Sequence, residues 1–315
     1  MSTTNHWDQL GTTQPADTDD RRRRRTALRK QQRDGKPDMK TTVPFGLAEQ
    51  TEIRSYAGFV AAPTAIRTTL GISSLRVGSV DAIAMRRHPS FLFNRVGGFE
   101  TSESITVDVV AQMCDFYREQ GPGAGAFIIA PPLLPPDWAS IAAKLNLTEG
   151  GRFHKLWCET RSALSAPDGI AALDPGLRVG PIEPHHAHEW ATVMMTTFGM
   201  PMPDMIDLAA SNVGKPNWRQ YAVWDDERIV AVGSLFINGE CANMFGGATL
   251  PESRGRGAQS ALLTARVQAA QAAGCRWLVA ETGVEGPGDH NSSLHNMLRA
   301  GFERLYDRTN WIWRA

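Results

Sequence analysis

Long apolar runs and net charge are both missing from this sequence. Its 315 residues carry 33 Lys and Arg against 33 Asp and Glu, so the formal net charge is zero. No apolar run reaches the roughly 18 residues of a membrane span, and the first residues lack the apolar segment of a secretory signal. These absences predict a cytoplasmic protein that does not bind membranes.

Cysteine is also scarce, and no two cysteines have the C-x-x-C spacing of a metal or redox site. The four cysteines are Cys114, Cys158, Cys241 and Cys275. They are far apart and lie in apolar surroundings. We therefore expect free structural thiols in a reducing compartment.

Three histidines, His185, His186 and His188, crowd the start of one predicted helix. A histidine pair at i, i+3 can bind a metal, but no cysteine or carboxylate falls at a matching short spacing. Solvated histidines in the first turn are the alternative. The sequence therefore predicts no metal site.

Residues 1–42 are polar and include an unbroken arginine run at 21–25. Such a composition cannot bury a core, so we expect a disordered tail. A basic run can contact nucleic acid, but here no aromatic residues are interleaved with it. We expect no nucleic-acid partner.

The remaining length suggests about two domains, and 42% apolar residues suffice for ordinary cores. From residue 43 to 165 the pattern predicts a helix, two strands, a helix, a strand, a helix and a strand. The first helix is interrupted at Gly58 and Pro63. The elements are expected at 49–70, 79–85, 90–96, 107–120, 126–130, 137–145 and 153–159.

A similar order returns after residue 175, which a diverged duplication would explain. Turn-forming residues between the two copies predict a linker at 166–176. The second copy begins with a strand, two helices and two strands, and Asn238-Gly239 then predicts a type I′ hairpin into Cys241. These five elements are expected at 177–182, 184–198, 203–213, 218–224 and 229–237.

The stretch from 244 to 274 is the most informative part of the chain. Residues 244–250 form an apolar strand that Pro251 ends. In the loop at 254–257, Gly255 and Gly257 let backbone N–H groups approach a ligand, and the next helix points its positive end there. This geometry suits a pyrophosphate. A loop that merely joins strand to helix is the alternative.

The helix after this loop has small and apolar residues at three- and four-residue spacing and ends at Gly274. Residues 275–282 then resume a strand. The unit is strand, loop, helix, strand, for which a right-handed crossover is expected. A nucleotide-like group belongs at its opening.

The run L-P-E-x-R-G-R-G-x-x-S-A-L-L, then A-A-G-C, E-T-G, Asn291 and R-A-G-F, resembles the GNAT acyl-CoA N-acyltransferase superfamily. The resemblance implies that amides of the loop hold the pyrophosphate of acetyl-CoA. Gln259 departs from the family pattern, which has Gly or Ala there. The resemblance also implies that the strands 244–250 and 275–282 splay apart and admit the pantetheine arm.

The implied fold class is α/β, with two GNAT-like domains in tandem, each a mixed, mostly antiparallel sheet flanked by helices. The first copy carries F-x-F-N-R-V-x-G at 91–98, as in the degenerate half of such proteins. Its segment 96–104 is acidic and lacks R-x-x-G, so no cofactor is expected there. The predicted divisions are a tail at 1–42, a degenerate domain at 43–165, a linker at 166–176 and an acetyltransferase domain at 177–315.

The resemblance places the cofactor contacts on the end of the strand, the loop and the cap of the last helix. These residues are Ala248, Leu250, Arg254, Gly255, Arg256, Gly257, Ala258, Gln259 and Asn291. Asn291 would cap the helix and contact the cofactor arm, and capping alone is the alternative.

Acetyl transfer to an amine needs a deprotonated amine, a polarised carbonyl and a proton for the leaving thiolate. Relatives often carry a Glu in the middle of the first splayed strand and a Tyr in the last helix. This chain has Asn243, Met244 and Phe245 in the strand, none of which is a base, and Met297 in the helix. Glu281 is the predicted base, directly or through water, and His295 the predicted acid. A solvent-facing glutamate and a helix-surface histidine are the alternatives.

We therefore expect an enzyme that transfers an acetyl group from acetyl-CoA to a primary amine of a small molecule. A non-catalytic acyl-CoA-binding or regulatory module is the alternative, favoured by Gln259 and by the missing Glu and Tyr. The sequence does not identify the acceptor, and it leaves a homodimer open.

Overall fold

The computed structural model describes residues 41–88, 90–165 and 170–315. Residues 42–315 form one compact unit. The predicted tail, apart from its last two residues, and residues 166–169 of the predicted linker lie outside the described residues. None of the described helices is long and apolar enough to cross a membrane.

Eight α-helices and eleven strands occur in the described residues. The helices are α1 (Phe45–Val60), α2 (Thr64–Leu70), α3 (Val107–Gln120), α4 (Trp138–Lys144), α5 (Ala187–Thr197), α6 (Pro203–Ala210), α7 (Ala258–Ala272) and α8 (Ser292–Arg299). The strands are β1 (Ile72–Val77), β2 (Val80–Met85), β3 (Arg95–Gly97), β4 (Ala124–Phe127), β5 (Thr148–Glu159), β6 (Leu177–Pro181), β7 (Trp218–Asp225), β8 (Arg228–Asn238), β9 (Cys241–Thr249), β10 (Trp277–Gly283) and β11 (Glu303–Arg314).

The strands of the described residues join in one sheet, in the order β1-β2-β3-β4-β11-β5-β10-β9-β8-β7-β6. Neighbouring strands are antiparallel, except that β3 runs parallel to β4 and β9 runs parallel to β10. The predicted α/β fold with a mixed, mostly antiparallel sheet is confirmed.

The element order repeats along the chain. Three strands, a helix, a strand, a helix and a last strand occur from β1 to β5 and again from β7 to β11. The last strands are exchanged between the copies, because β5 pairs with β10 and β11 pairs with β4. They also pair with each other at the centre of the sheet. The domain division at 43–165 and 177–315 stays a prediction, since one sheet runs through both.

Helices cover both faces of the sheet, and successive strand residues alternate between the cores on the two faces. On β7, Ala222 belongs to the core beneath α5 and α6, whereas Val223 packs with residues of α7. Helix α1 contacts β2, β3, β8, β9 and β10, so it crosses the middle of the sheet. This position carries its polar residues Glu49 and Glu52 to the centre of the molecule, where both are buried.

Four sequence-based expectations were wrong in detail. Two strands were predicted between the first helix and the helix at 107–120, but β1 (Ile72–Val77) adds a third that the pattern missed. The strand predicted for 90–96 is only β3, because the Asn94 side chain accepts from Met85 N at 2.6 Å and donates to His88 O at 2.8 Å, which holds a turn. Gly58 does not interrupt α1; a Cβ there would lie 3.2 Å from the ring of Phe236, so it permits close packing.

The predicted hairpin between β8 and β9 is present, but the turn type differs. Asn238 pairs with Cys241, so the two loop residues are Gly239 and Glu240. Only Gly239 has a positive φ. That pattern fits a type II′ turn, which needs glycine at its first central position alone, instead of type I′.

Candidate functional site

Strands β9 and β10 separate after a short parallel contact. They pair only from Cys241 opposite Trp277 to Asn243 opposite Val279. Beyond that point the register of β9 against β8 shifts, and Gly246 has a φ of 58°. The predicted splaying of these strands is confirmed, and it opens a gap at the carboxyl ends of two parallel strands.

The loop after β9 ends at the first turn of α7. Gly255 and Gly257 both have φ 78°, and Gly257 is the N-cap of the helix. A Cβ on Gly257 would overlap the carbonyl oxygen of Ala172, whereas one on Gly255 would meet open space. The first turn of α7 directs its backbone N–H groups and its positive dipole end at this loop.

A cavity of about 730 Å³ lies between this loop and the start of α8. Its wall includes seven of the nine residues predicted to hold a cofactor: Ala248, Arg254, Gly255, Gly257, Ala258, Gln259 and Asn291. Arg254 is exposed at this wall. A loop of backbone donors with a nearby arginine is suited to an anionic ligand.

The other two predicted residues, Leu250 and Arg256, do not line this cavity. Arg256 Nε lies 3.0 Å from Asp174 Oδ2, and its Nη1 donates to Asp225. Leu250 packs against the core beneath α5 and α6. The two arginines of the loop thus differ. Arg256 holds the loop in place through Asp174 and Asp225, while Arg254 faces the cavity.

Gln259, which departs from the family pattern, does not fold back over the loop. Its Nε2 donates to Thr249 Oγ1 at 2.7 Å. A Cβ on Gly247 would lie 3.3 Å from its Oε1. The side chain therefore lies along the end of β9 and helps to bound the gap.

Asn291 caps α8, as expected, since its Oδ1 accepts from Leu294 N at 3.1 Å. Its Nδ2 also donates to Thr282 Oγ1 at 2.9 Å and to Gly283 O at 2.8 Å. Asn291 therefore ties the start of α8 to the end of β10, on one wall of the cavity.

A second cavity, of about 330 Å³, lies deeper in the molecule. Most of its wall is apolar and includes Phe59, Phe93, Met194, Met195, Phe245 and Met297. Its polar lining includes Glu52, Glu281 and Arg266. The two cavities share wall residues at the gap, namely Gly247, Gln259, Gly283, Ser293 and Asn296. A ligand in the outer cavity would thus end beside the inner one.

Glu281, the predicted base, belongs to a network of six charged residues at the centre of the sheet. The members are Glu49, Glu52 and Glu281 with Arg95, Lys155 and Arg308. Arg308 donates to Glu49 at 2.7 and 2.9 Å and to Glu52 at 2.8 Å. Three carboxylates face three cations, so the formal charges cancel.

The remaining contacts bring Glu281 into the network. Arg308 also donates to Glu281, and Arg95 Nη2 lies 3.5 Å from Glu281 Oε1. Arg95 Nη1 donates to Glu52 at 3.0 Å, and Lys155 donates to the other oxygen of Glu52. The desolvation cost of burying these six charges is offset because each charge has a partner of opposite sign.

The network drives the pKa values of two cavity carboxyls in opposite directions. Burial raises the pKa of Glu281, and the nearby charge of Glu52 adds to this rise against the opposing effect of Arg308 and Arg95. Burial also opposes ionisation of Glu52, but Arg308, Lys155 and Arg95 together hold its pKa well below the usual range. Glu52 is therefore a fixed anion, whereas Glu281 can exchange a proton nearer neutrality.

His295, the predicted acid, lies apart from Glu281. Its Nε2 is 2.9 Å from Glu285 Oε1, its ring stacks on His290, and it lines neither cavity. Its role as an acid stays a prediction. The ligand atoms of Glu285, His290 and His295 all lie within 4.8 Å of one another and could hold a divalent cation.

The first copy has a different arrangement after its third strand. The acidic segment 96–104 leads into a 3₁₀ turn at Ser102–Ser104. A Cβ on Gly46 would lie 2.7 Å from Glu100 O, so the backbone of this segment rests on the first turn of α1. The absence of a cofactor site in this copy stays a prediction.

Sequence patterns located the loop, the gap and Glu281, but they missed the inner cavity and the network. Members of the network come from α1, β3, β5, β10 and β11. Arg266 was also missed, although it is the sole charged residue in α7. A lone charge among helical alanines and leucines was the available signal.

Comparison with known proteins agrees with this geometry. Residues 186–302 match the family model described as Acetyltransferase (GNAT) family. This part of the chain is a GNAT acetyltransferase domain, and the resemblance drawn from the sequence is confirmed. No curated protein sequence matches the chain.

Solved structures share the fold across most of the chain. A GCN5-related N-acetyltransferase from Kribbella flavida superposes with a TM-score of 0.58 at 13% identity, covering 88% of this chain and 97% of that one. A tandem GNAT protein from the clavulanic acid biosynthesis pathway gives 0.55 at 14% identity, with coverage of 84% and 95%. A GCN5-related N-acetyltransferase from Sphaerobacter thermophilus gives 0.53 at 12% identity, with coverage of 87% and 94%. The tandem GNAT architecture thus extends over both copies.

Proposed function

We propose that this protein transfers an acyl group, with acetyl-CoA as the donor, to the primary amine of a small molecule. One observation carries the proposal. A cavity that begins at a glycine loop and a helix N-terminus meets, at the gap between β9 and β10, an inner cavity that contains a buried carboxyl of raised pKa. A donor and an acceptor could therefore approach from opposite ends.

The outer cavity suits the donor. Backbone N–H groups at Gly257 and Ala258 and the guanidinium of Arg254 would hold the pyrophosphate of CoA. The pantetheine arm would run past Gln259 and Asn291 into the gap. The tandem GNAT protein from the clavulanic acid biosynthesis pathway has the same fold, and its solved structure is the form without AcCoA, the donor proposed here.

The inner cavity suits the acceptor. Its volume of about 330 Å³ matches a small molecule. Glu281 would take a proton from the ammonium form, directly or through a water, and the free amine would attack the thioester carbonyl. Backbone N–H groups in the irregular part of β9 would stabilise the oxyanion. The C–S bond then breaks, and the CoA thiolate takes up a proton, for which His295 is the sequence-based candidate.

A non-catalytic acyl-CoA-binding module is the second candidate. It is favoured by Met297, which lines the inner cavity where relatives of this family carry a tyrosine acid. This candidate predicts acyl-CoA binding without turnover.

Release of free thiol from acetyl-CoA separates the two candidates. The protein would be mixed with acetyl-CoA and a panel of small primary amines, with a Glu281→Gln variant alongside. We expect amine-dependent thiol release that the variant loses while it still binds acetyl-CoA in calorimetry. Binding without thiol release across the panel would leave the binding module as the function.

A further inference from the structure

Arg266 is a buried arginine that has no counter-ion among the described residues. It lies in the middle of α7 and is 3% exposed. Arg95 and Arg308 are equally buried, but each is paired with glutamates of the central network. No carboxylate among the described residues forms an ion pair with Arg266.

In the described part of the chain, the groups that hold the guanidinium are neutral. Its Nε donates to Leu262 O at 3.0 Å, one helical turn earlier, and its Nη1 donates to Ser234 O at 3.3 Å. Within the described part of the chain, Nη2 has no hydrogen-bond partner. Two carbonyl oxygens do not neutralise a cation, so a full positive charge remains in the interior.

Two glycines let the guanidinium lie close against the sheet. A Cβ on Gly233 of β8 would lie 3.0 Å from Arg266 Cζ, and a Cβ on Gly247 of β9 would lie 3.6 Å from Nη2. These glycines sit where the register between β8 and β9 shifts. Both Arg266 and Gly247 line the inner cavity.

The charge persists at physiological pH. Burial lowers the pKa of Arg266 to about 10, which leaves the group protonated near neutrality. An uncompensated buried cation destabilises a fold unless something recovers that cost. A ligand can supply the anionic partner that Arg266 lacks among the described residues.

The inner cavity thus contains a free cation as well as the carboxyl of Glu281. Glu281 can accept a proton from an amine, and Nη2 of Arg266 can donate to an anion. We propose, building on the acyltransferase function above, that Arg266 binds a carboxylate of the molecule that occupies the inner cavity. This carboxylate belongs either to the acceptor, which is then an amino acid, or to the acyl group, which is then a dicarboxylic monoacyl.

Matched substrate pairs test this proposal and separate the two sources. In the acceptor arm, 4-aminobutyrate is compared with butylamine, using acetyl-CoA. In the donor arm, succinyl-CoA is compared with butyryl-CoA, using butylamine. Each pair keeps the length of the chain and differs in the carboxylate. Thiol release gives kcat/KM for the wild type, Arg266→Gln and Arg266→Lys.

We expect the wild type to prefer the carboxylate member of one pair by about ten- to hundredfold, the range of a charge-assisted contact. Arg266→Gln should lower kcat/KM far more for the carboxylate member than for the neutral member, and Arg266→Lys should restore part of the preference. Equal kcat/KM within both pairs for the wild type would overturn the inference, as would a variant that lowers all four substrates alike.

The experiment distinguishes failure of the proposed acyl transfer from failure of carboxylate binding by Arg266. If no donor and acceptor pair releases thiol, acyl transfer itself is refuted, and the inference is decided by thermal stabilisation of the wild type with the same molecules. Greater stabilisation by the carboxylate member, lost in Arg266→Gln, would support it. Equal stabilisation by both members would overturn it.

Discussion

Glu281 of β10 lies directly opposite Lys155 of β5 in the antiparallel register, yet the ion pairs of Lys155 are made with Glu52 and Glu49. The cation across the strand is therefore engaged on the α1 side. Glu281 instead contacts Arg308 and Arg95, and it faces the inner cavity with its pKa raised by burial. A carboxyl of raised pKa at a cavity is suited to act as a general base.

Glu281→Gln should lower kcat by about 10²–10⁴-fold with a smaller effect on KM, because a general base acts in the chemical step. The base must be ionised, so the wild-type rate should fall on acidification, at a pH above the usual glutamate value of about 4.3. The variant should lack that acidic limb. Glu240→Gln, at the exposed hairpin, is the control and should leave the profile unchanged. An unaltered kcat would remove Glu281 from the chemistry.

Glu52→Gln should destabilise the fold more than Glu281→Gln does. Glu52 is a fixed anion between Arg95, Lys155 and Arg308, and its loss leaves three buried cations with too little opposing charge. Breaking such a buried pair costs about 3–5 kcal/mol. Urea denaturation at neutral pH would measure both variants, and the reverse order would contradict the assignment of charges.

The pH dependence of that difference has a definite sign. The pKa of Glu52 is lowered in the folded state, so its ionised form stabilises the fold above the unfolded-state value of about 4.3. That stability is lost as the pH falls from there through the folded pKa. The gap in unfolding free energy between the wild type and Glu52→Gln should therefore narrow in acid. A gap that widens would show that Glu52 is protonated at neutral pH.

Arg254→Ala should weaken acetyl-CoA binding by about ten- to hundredfold, because a charge-assisted contact to phosphate is lost at an exposed position. Its melting temperature should not change. Arg256→Ala is the matched variant from the same loop, and it breaks the contacts with Asp174 and Asp225 instead. Calorimetry should show the larger loss of affinity for Arg254→Ala. Equal losses of affinity would mean that the loop only connects β9 to α7 and that Arg254 has no specific contact with the ligand.

Gly257→Ala and Gly255→Ala separate backbone strain from collision. Both glycines have φ 78°, where any Cβ costs about 1–2 kcal/mol. At Gly257 alone the new methyl would also overlap the backbone of Ala172. We expect Gly257→Ala to lower the melting temperature and the affinity for acetyl-CoA further than Gly255→Ala. Identical melting temperatures would contradict the close contact at Ala172.

Local patterns made the loop and the helix cap at the outer cavity predictable. A glycine loop between a strand and a helix, and the cap at Asn291, depend on residues close in sequence. The network around Glu281 was not predictable in this way, because Glu52, Arg95 and Arg308 are distant in sequence and meet only in the folded sheet. Gly58 and Asn94 show the same limit, since tertiary packing and a side-chain hydrogen bond overrode the local signals.

The exchange of β5 and β11 means that covalent continuity between the two copies is not what holds them together. A backbone cut in the segment 170–176 would leave β5 between β10 and β11, and β11 between β4 and β5. The two pieces would therefore stay joined by the hydrogen bonds of one sheet. Separate expression of the two pieces should give the opposite result. Each piece would expose a strand edge, at β4 or at β10, that a strand of the other piece covers in the intact protein.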